Sequence, residues 1–257
     1  MSLNSTEGGY VNLQTDNGIG TITFFHPSHN SMPGYQLQAL ANTITQAGND
    51  DSIKVIILRS AGDKTFCAGA SFDELINIKN IDEGRIFFSG FANVINAMRT
   101  CPKFIIGRVQ GKAVGGGVGI AAAVDYCFAT KAASVKLSEL AVGIGPFVVG
   151  PAVVRKIGIS AMSQLSIDAT SFYSADWALN KGLYAGIYET ADEMDTAIHA
   201  LADRLVQSNP EAMKSLKQIC WEGTENWDTL LANRAEISGT LVLSDFTRNA
   251  IEKFKAK

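Results

Sequence analysis

An α/β fold followed by an all-helical segment is predicted by the order of apolar patterns along this chain of 257 residues. Two continuous apolar runs, "KVIILRS" (54–60) and "KFIIGRV" (103–109), are typical of strands that are buried on both faces. Helical periodicity lies before, between and after these runs, so that strands and helices alternate up to about residue 190. Only helical patterns follow, from 191 to 257.

The first elements follow from local patterns. The stretch "YVNLQTDNGIGTITFF" (10–25) alternates apolar and polar residues and predicts a hairpin that turns near Asn17-Gly18. Apolar residues spaced i, i+3, i+4, i+7 predict a helix over 35–47. A second apolar stripe, from Phe87 to Met98, predicts a helix between the two buried strands. A glycine-rich turn then leads into a predicted helix at "GIAAAVD" (119–125).

The later elements include short strands and C-terminal helices. Short strands are predicted at 126–130, 134–137 and 183–188. Thr190 and Glu193 form a capping-box pattern, and Asn209-Pro210 opens a further helix with proline at its first position. We therefore expect an α/β core with the functional site over 1–190 and a helical segment over 191–257.

Composition excludes several classes of function. Hydrophobic residues make up 46% of the chain, charged residues 18%, and the formal net charge is −3, so nucleic-acid binding is not expected. The four cysteines lie far apart without metal-ligand spacing, so we expect reduced thiols and no metal site. No signal peptide and no membrane-length apolar run is visible, so a cytoplasmic protein without membrane association is expected.

Two glycine-rich stretches each follow a buried strand. They are "TFCAGASFDEL" (65–75) and "VQGKAVGGGVGIAAAVD" (109–125). Ligands of parallel α/β sheets bind where strands end and helices begin. Two backbone N–H groups that converge there on one carbonyl oxygen would form an oxyanion hole.

Two other interpretations of the second stretch stay open at this point. The glycines at 115–117 could simply allow close packing of a helix on a strand. Gly117 to Ala122 also matches G-x-G-x-x-A, with Glu139 20 residues after Gly119, as in dinucleotide-binding proteins. However, Gln110 to Gly116 separate this match from the preceding strand, whereas the fingerprint should begin directly at a strand end.

Taken together, these motifs resemble the crotonase (enoyl-CoA hydratase/isomerase) superfamily along nearly the whole chain. "FCAGASFDEL" (66–75) is similar to the family's Phe-x-Ala-Gly-Ala-Asp segment, and "GKAVGGGVG" (111–119) is similar to its Asn-Gly-x-Ala-x-Gly-Gly-Gly segment. "HPSHNSM" (26–32) resembles a degenerate Pro-x-x-x-Asn-Ala-Leu segment. "SELAVGIGPFVVGPAVVRKIG" (138–158) resembles the Pro-Glu-x-x-x-Gly-x-x-Pro stretch that follows in the family.

The resemblance implies a fold, an assembly and a substrate. It implies a spiral of ββα units, with trimers or paired trimers joined through the C-terminal helices, and a role in fatty acid metabolism. Coenzyme A would be bound as part of an acyl thioester substrate, with no resident cofactor. By position, the oxyanion-hole N–H groups belong to Ala70 and Gly116. The remaining substrate-binding positions implied by the family motifs are Ala68, Gly69, Ser71, Phe72 and Gly115.

The family's hydratases use two glutamates, and this sequence retains one of the two positions. The first position is Gly119 and the second is Glu139. A single carboxylate can move a double bond, because it can remove an α-proton and return it at the γ-carbon. Isomerisation is therefore favoured slightly over hydration, and both are favoured over decarboxylation or hydrolysis. A non-catalytic acyl-CoA binder and a nucleotide-dependent oxidoreductase remain as alternatives.

Several side chains near these motifs have simpler interpretations. Glu139 could merely open a helix with Ser138 as its cap, although apolar neighbours would raise the pKa of its carboxyl toward neutrality. Asp73 and Glu74 are expected to be solvated acids in the first turn of a helix. Coenzyme A phosphates require cations, for which Lys64 or a Lys253 from a neighbouring subunit are candidates.

Overall fold

A computed structural model describes residues 8–255, which form ten strands and ten α-helices. The strands are β1 (Tyr10–Asp16), β2 (Ile19–Phe25), β3 (Val55–Ser60), β4 (Thr65–Cys67), β5 (Ile105–Val109), β6 (Lys112–Val114), β7 (Tyr126–Thr130), β8 (Ser134–Lys136), β9 (Tyr173–Ser174) and β10 (Gly186–Tyr188). Residues 1–7, part of the stretch considered for a signal peptide, and 256–257, the end of the predicted helical segment, lie outside this range.

The helices occupy the intervals between strands and the C-terminal part of the chain. They are α1 (Gly34–Asn49), α2 (Phe72–Ile76), α3 (Ile81–Thr100), α4 (Gly116–Ala123), α5 (Gly150–Ile167), α6 (Ala175–Asn180), α7 (Ala191–Val206), α8 (Pro210–Cys220), α9 (Trp227–Leu241) and α10 (Asp245–Lys255), and a 3₁₀ turn spans Glu139–Val142. No helix within residues 8–255 is both long and apolar enough to cross a bilayer.

The larger sheet contains six strands in the order β1-β2-β3-β5-β7-β10. Its first pair is antiparallel and its other neighbours are parallel. Asn17 and Gly18 connect β1 to β2 with φ of 47° and 84°, as expected for a tight hairpin whose two turn residues have positive φ. The predicted hairpin and buried strands are therefore present.

The smaller sheet gives the fold its ββα repeat. Its order is β4-β6-β8-β9, with β4, β6 and β8 mutually parallel. Each of these three short strands follows a strand of the larger sheet and precedes helical structure: β3-β4-α2, β5-β6-α4 and β7-β8 followed by the 3₁₀ turn. Because β4, β6 and β8 run side by side in one direction, their carboxyl ends meet at one edge.

The C-terminal helices pack on the α/β core of the same chain. Met194 and Ile198 of α7 are buried with Ile57 and other residues on one face of the larger sheet. Helix α9 lies against α3 so closely that a Cβ built at Gly84 would be 2.8 Å from the Cα of Gly239. Helix α7 thus covers one face of the larger sheet.

Candidate active site

The two glycine-rich segments meet at the carboxyl ends of β4 and β6. Gly69 has a φ of 92°, and a Cβ built there would lie 3.1 Å from the carbonyl oxygen of Val114 and 3.6 Å from the nitrogen of Gly116. Glycine is required at this point, because a side chain would be strained in this backbone conformation and would crowd the neighbouring loop. Small residues thus bring the two loops together.

The N–H groups of Ala70 and Gly116 have no hydrogen-bond acceptor among the described residues. Both residues line a cavity of about 300 Å³. Gly116 is also the first residue of α4, where the helix dipole places partial positive charge. Two unpaired donors beside one cavity can receive an oxygen that carries negative charge.

Apolar side chains supply most of the cavity wall. The larger ones include Phe72, Leu75, Phe87, Phe88, Phe91, Ile144 and Phe147. Phe91 packs directly on the start of α4, since a Cβ built at Gly116 would be 2.1 Å from the end of its ring. Phe91 belongs to the stripe predicted from periodicity, but nothing in its spacing showed that this residue would line the cavity. Such an apolar wall lowers the local dielectric and so strengthens electrostatic interactions inside the cavity.

Glu139 places a carboxyl group in this cavity. A Cβ built at Gly115 would lie 3.2 Å from its Oε1, and its Oε2 is buried without a hydrogen-bond partner among the described residues. Burial raises the pKa of the Glu139 carboxyl from 4.5 to about 7, opposed by the residue's own backbone N–H. Glu139 does open a 3₁₀ turn with Ser138 at its N-cap position, but the Ser138 side chain makes no capping hydrogen bond to a described residue.

The side chain of Val149 occupies the space next to Gly119. Gly119 is buried in α4, and a Cβ built there would lie 2.5 Å from Cγ1 of Val149 and 2.7 Å from its Cβ. Val149 also lines the cavity. A carboxylate cannot extend from position 119 unless Val149 moves, and the sequence held no signal for this contact.

The dinucleotide-binding interpretation does not fit this geometry. Strand β6 lies between β5 and the glycines. A Cβ built at Gly117 would be only 2.6 Å from the carbonyl oxygen of Cys67. Gly117 therefore allows close packing of α4 on β4. Burial also raises the pKa of the Cys67 thiol to about 12, so the thiol stays protonated near neutral pH and a nucleophilic role is not supported.

A wider cavity of about 1100 Å³ adjoins the first and shares Ala68, Ala70, Phe72 and Phe87 with it. Ser71 caps α2 through the N–H of Glu74 at 3.3 Å. The Glu74 carboxylate accepts from the N–H of Gly34, with distances of 2.9 and 3.2 Å to its two oxygens. Glu74 was expected to be solvated only, and this hydrogen bond shows that it also connects α2 to the start of α1.

Basic side chains are scarce at this wider cavity. Asp73, Glu74 and Glu83 line it, and Arg85 is the only arginine or lysine among its described lining residues. Lys64 and Lys253, the candidates for coenzyme A phosphates, line neither cavity. Within residues 8–255, no group of three His, Cys, Asp or Glu side chains could hold a metal ion.

Burial of Glu139 predicts a loss of stability as the pH rises from about 4.5 to about 7. In this window the unfolded chain has released the carboxyl proton and the folded chain retains it, so higher pH favours unfolding. At about 1.4 kcal/mol for each unit of pKa difference, the loss amounts to about 3 kcal/mol.

Urea unfolding of the natural chain and of Glu139→Gln measures this effect. The difference in free energy of unfolding should grow in favour of the variant through the window and become constant above about pH 7. A difference that is independent of pH would contradict the burial of an ionisable group at this position.

Comparison with known proteins identifies a matching family and similar proteins. A family model described as enoyl-CoA hydratase/isomerase matches residues 14–253. The short-chain-enoyl-CoA hydratase of Clostridium acetobutylicum is 30% identical over 250 residues, which cover 96% of this chain and 95% of that protein. The trans-2-decenoyl-[acyl-carrier-protein] isomerase of Streptococcus mutans is 22% identical over 250 residues, which cover 94% of this chain and 93% of that protein.

A solved structure resembles the whole fold. The enoyl-CoA hydratase from Bacillus halodurans superposes with a TM-score of 0.87 at 21% identity and covers 95% of this chain and 99% of its own. This similarity confirms the predicted spiral of ββα units with C-terminal helices. The names of these proteins include both a hydratase and an isomerase, so the reaction has to be argued from the site.

Proposed function

This chain belongs to the enoyl-CoA hydratase/isomerase family of the crotonase superfamily, and we propose that it moves the double bond of an enoyl-CoA from the 3,4 to the 2,3 position. The names of two relatives given above refer to short-chain enoyl-CoA and to trans-2-decenoyl-[acyl-carrier-protein]. Three groups would perform the reaction: the N–H groups of Ala70 and Gly116 and the carboxylate of Glu139. Coenzyme A would be part of the substrate, and no resident cofactor is needed for this chemistry.

The two N–H groups would bind the thioester oxygen. Both are unpaired among the described residues and line the small cavity. As the α-proton leaves, negative charge accumulates on this oxygen, and donors that are already oriented stabilise it without reorganisation. Ala68, Gly69, Ser71, Phe72 and Gly115 would line the path of the thioester, and the small residues among them leave room for it.

Glu139 would carry the proton between two carbons. The ionised carboxylate removes the α-proton, and the electrons of that C–H bond form a dienolate that extends from the thioester oxygen to the γ-carbon. The protonated carboxyl then donates the same proton to the γ-carbon, and the remaining double bond lies between C2 and C3. A pKa of about 7 suits both steps, because the group then accepts and releases a proton near neutral pH.

The contact of Val149 with Gly119 is the observation that favours isomerisation. Addition of water needs one group to deprotonate the water and another to orient it or to protonate the α-carbon. Val149 fills the space into which a second carboxylate would extend from position 119. Hydration is the second candidate, favoured by the name of the Clostridium acetobutylicum relative.

Incubation with 2-enoyl-, 3-enoyl- and β-carboxyacyl-CoA thioesters in deuterated water, followed by mass spectrometry, tests the proposal. We expect conversion of the 3-enoyl thioester to the 2-enoyl isomer with deuterium at the α- or γ-carbon and no gain of water. A mass increase by one water would indicate hydratase activity. Loss of carbon dioxide would indicate a decarboxylase, release of free coenzyme A a hydrolase, and binding without turnover a non-catalytic protein.

Assembly through the C-terminal helices is part of the same proposal. Large apolar side chains on these helices are exposed in the single chain, among them Ile219, Ile237 and Phe246. Such surface is typical of a buried interface between subunits. A homotrimer or a pair of trimers in the cytoplasm would cover it.

A further inference from the structure

The smaller sheet orders the groups of the cavity along one direction. From β4 to β9 its strand ends present first Ala68 and Ala70, then Gly115 and Gly116, and then Ser138 and Glu139. Strand β9 is antiparallel to β8, with Ser134 opposite Ser174 and Val135 opposite Tyr173. Continued by the same register, this pairing puts Phe172 beside Lys136 and Thr170 beside Ser138. Thr170 therefore lies beyond Glu139, on the side away from Ala68 and Ala70.

Two lysines that have no acidic partner within residues 8–255 lie near Phe172 on this side. The Nζ atoms of Lys112 and Lys136 are 5.3 and 5.0 Å from the centroid of the Phe172 ring. Their positions on β6 and β8 place both side chains on the same face of the sheet. Neither forms an ion pair with another described residue.

Lys136 and Thr170 also belong to the lining of the cavity that contains Glu139. Lys136 is only partly exposed, and Glu139 is the only carboxylate among the described residues of this lining. Lys136 forms no ion pair with Glu139 or with any other described carboxylate, so its ammonium group has no anionic partner within residues 8–255. A substrate bound with its thioester oxygen at Ala70 and Gly116 would extend past Glu139 toward Lys136.

From this arrangement we propose that the acyl group of the substrate ends in an anionic group, such as a carboxylate, that binds Lys136. This inference rests on the proposed function, since it takes the thioester end of the substrate to lie at Ala70 and Gly116. Thr170 donates its hydroxyl hydrogen to the same group, and Lys112 adds positive potential across the Phe172 ring. The substrate class is thus the coenzyme A thioester of an unsaturated dicarboxylic acid.

The test compares two six-carbon 3-enoyl-CoA substrates, one with a terminal methyl group and one with a terminal carboxylate. We expect the natural chain to prefer the carboxylate-bearing substrate. Lys136→Met should lower kcat/KM for that substrate by about ten- to a hundredfold, the range of a charge-assisted hydrogen bond, and change the methyl-terminated one less than about twofold. Lys112→Met should have a smaller effect, and Lys214→Met, at an exposed position of α8, serves as the control.

Calorimetric titration with the two saturated six-carbon thioesters and with free coenzyme A separates this inference from the proposed reaction. Binding that favours the carboxylate-bearing thioester and depends on Lys136 would support the inference even if no isomerisation occurs. An equal loss of affinity for free coenzyme A and both thioesters in Lys136→Met would identify Lys136 as a phosphate contact and overturn it. A natural chain that prefers the methyl-terminated thioester, or that binds neither, would also overturn it.

Discussion

Replacement of Glu139 by glutamine is expected to lower kcat by about 10³- to 10⁴-fold on any acyl-CoA that the natural chain converts. The amide has nearly the same shape but can neither accept the α-proton nor return it. Because Oε2 of Glu139 has no hydrogen-bond partner among the described residues, the substitution breaks no hydrogen bond at that atom. Steady-state kinetics and thermal unfolding of the purified variant measure both effects.

The pH profile and a second variant complete this test. Since the ionised carboxylate is the base and its pKa is about 7, kcat/KM of the natural chain should rise with pH and reach a plateau above that value. Glu236→Gln, which makes the same change at an exposed position of α9, should leave the rate unchanged. Full activity of Glu139→Gln on every active substrate would exclude Glu139 as the acid/base.

Replacement of Asp125 by alanine is expected to destabilise the protein by about 3–5 kcal/mol, the cost of leaving a buried charge unpaired. Its carboxylate accepts from Nζ of Lys217 at 2.8 Å, from Nε1 of Trp221 at 3.0 Å and from the N–H of Ile105 at 2.8 Å. The side chain of Lys217 is only 2% exposed. Chemical denaturation of the variant gives the change in free energy of unfolding.

A matched pair and a double variant control for this result. Asp228→Ala removes the carboxylate partner of Arg99, and since Asp228 is 73% exposed, its loss should cost at most about 1 kcal/mol. Adding Lys217→Met to Asp125→Ala should recover part of the lost stability, because the unpaired ammonium is removed. If the two aspartate variants were equally stable, the contacts of Asp125 would not hold α8 on the core.

Local patterns were sufficient to predict most of the secondary structure. The hairpin at 10–25, the strands at 54–60 and 103–109 and the capping box at Thr190 are all present. These features depend on neighbours in the sequence: turn residues that tolerate positive φ, apolar runs and cap hydrogen bonds. The predicted start of α4 was too late, since the helix begins at Gly116, because glycine has a low helix propensity that packing against β4 overrides.

Only part of the candidate site could be predicted from the sequence, because some of its residues come together only in the folded chain. Ala70, Gly116 and Glu139 were found from motifs, and the structure places all three around one cavity. Phe91 and Lys136 were not found, because their roles arise where α3 and β8 approach the glycine-rich loops. Nothing in a stripe of apolar residues distinguishes the one that lines a cavity.

The sequence by itself determined the order of the ββα units, the small residues at the strand ends and the presence of Glu139 with glycine at position 119. Apolar neighbours in the sequence already predicted a raised pKa for Glu139, and the structure buries its carboxyl group accordingly. Only the tertiary structure brings Phe91 to the cavity and places Val149 against Gly119. The reason is that burial and steric exclusion are produced by residues distant in the chain, whereas motifs record only which residues are adjacent.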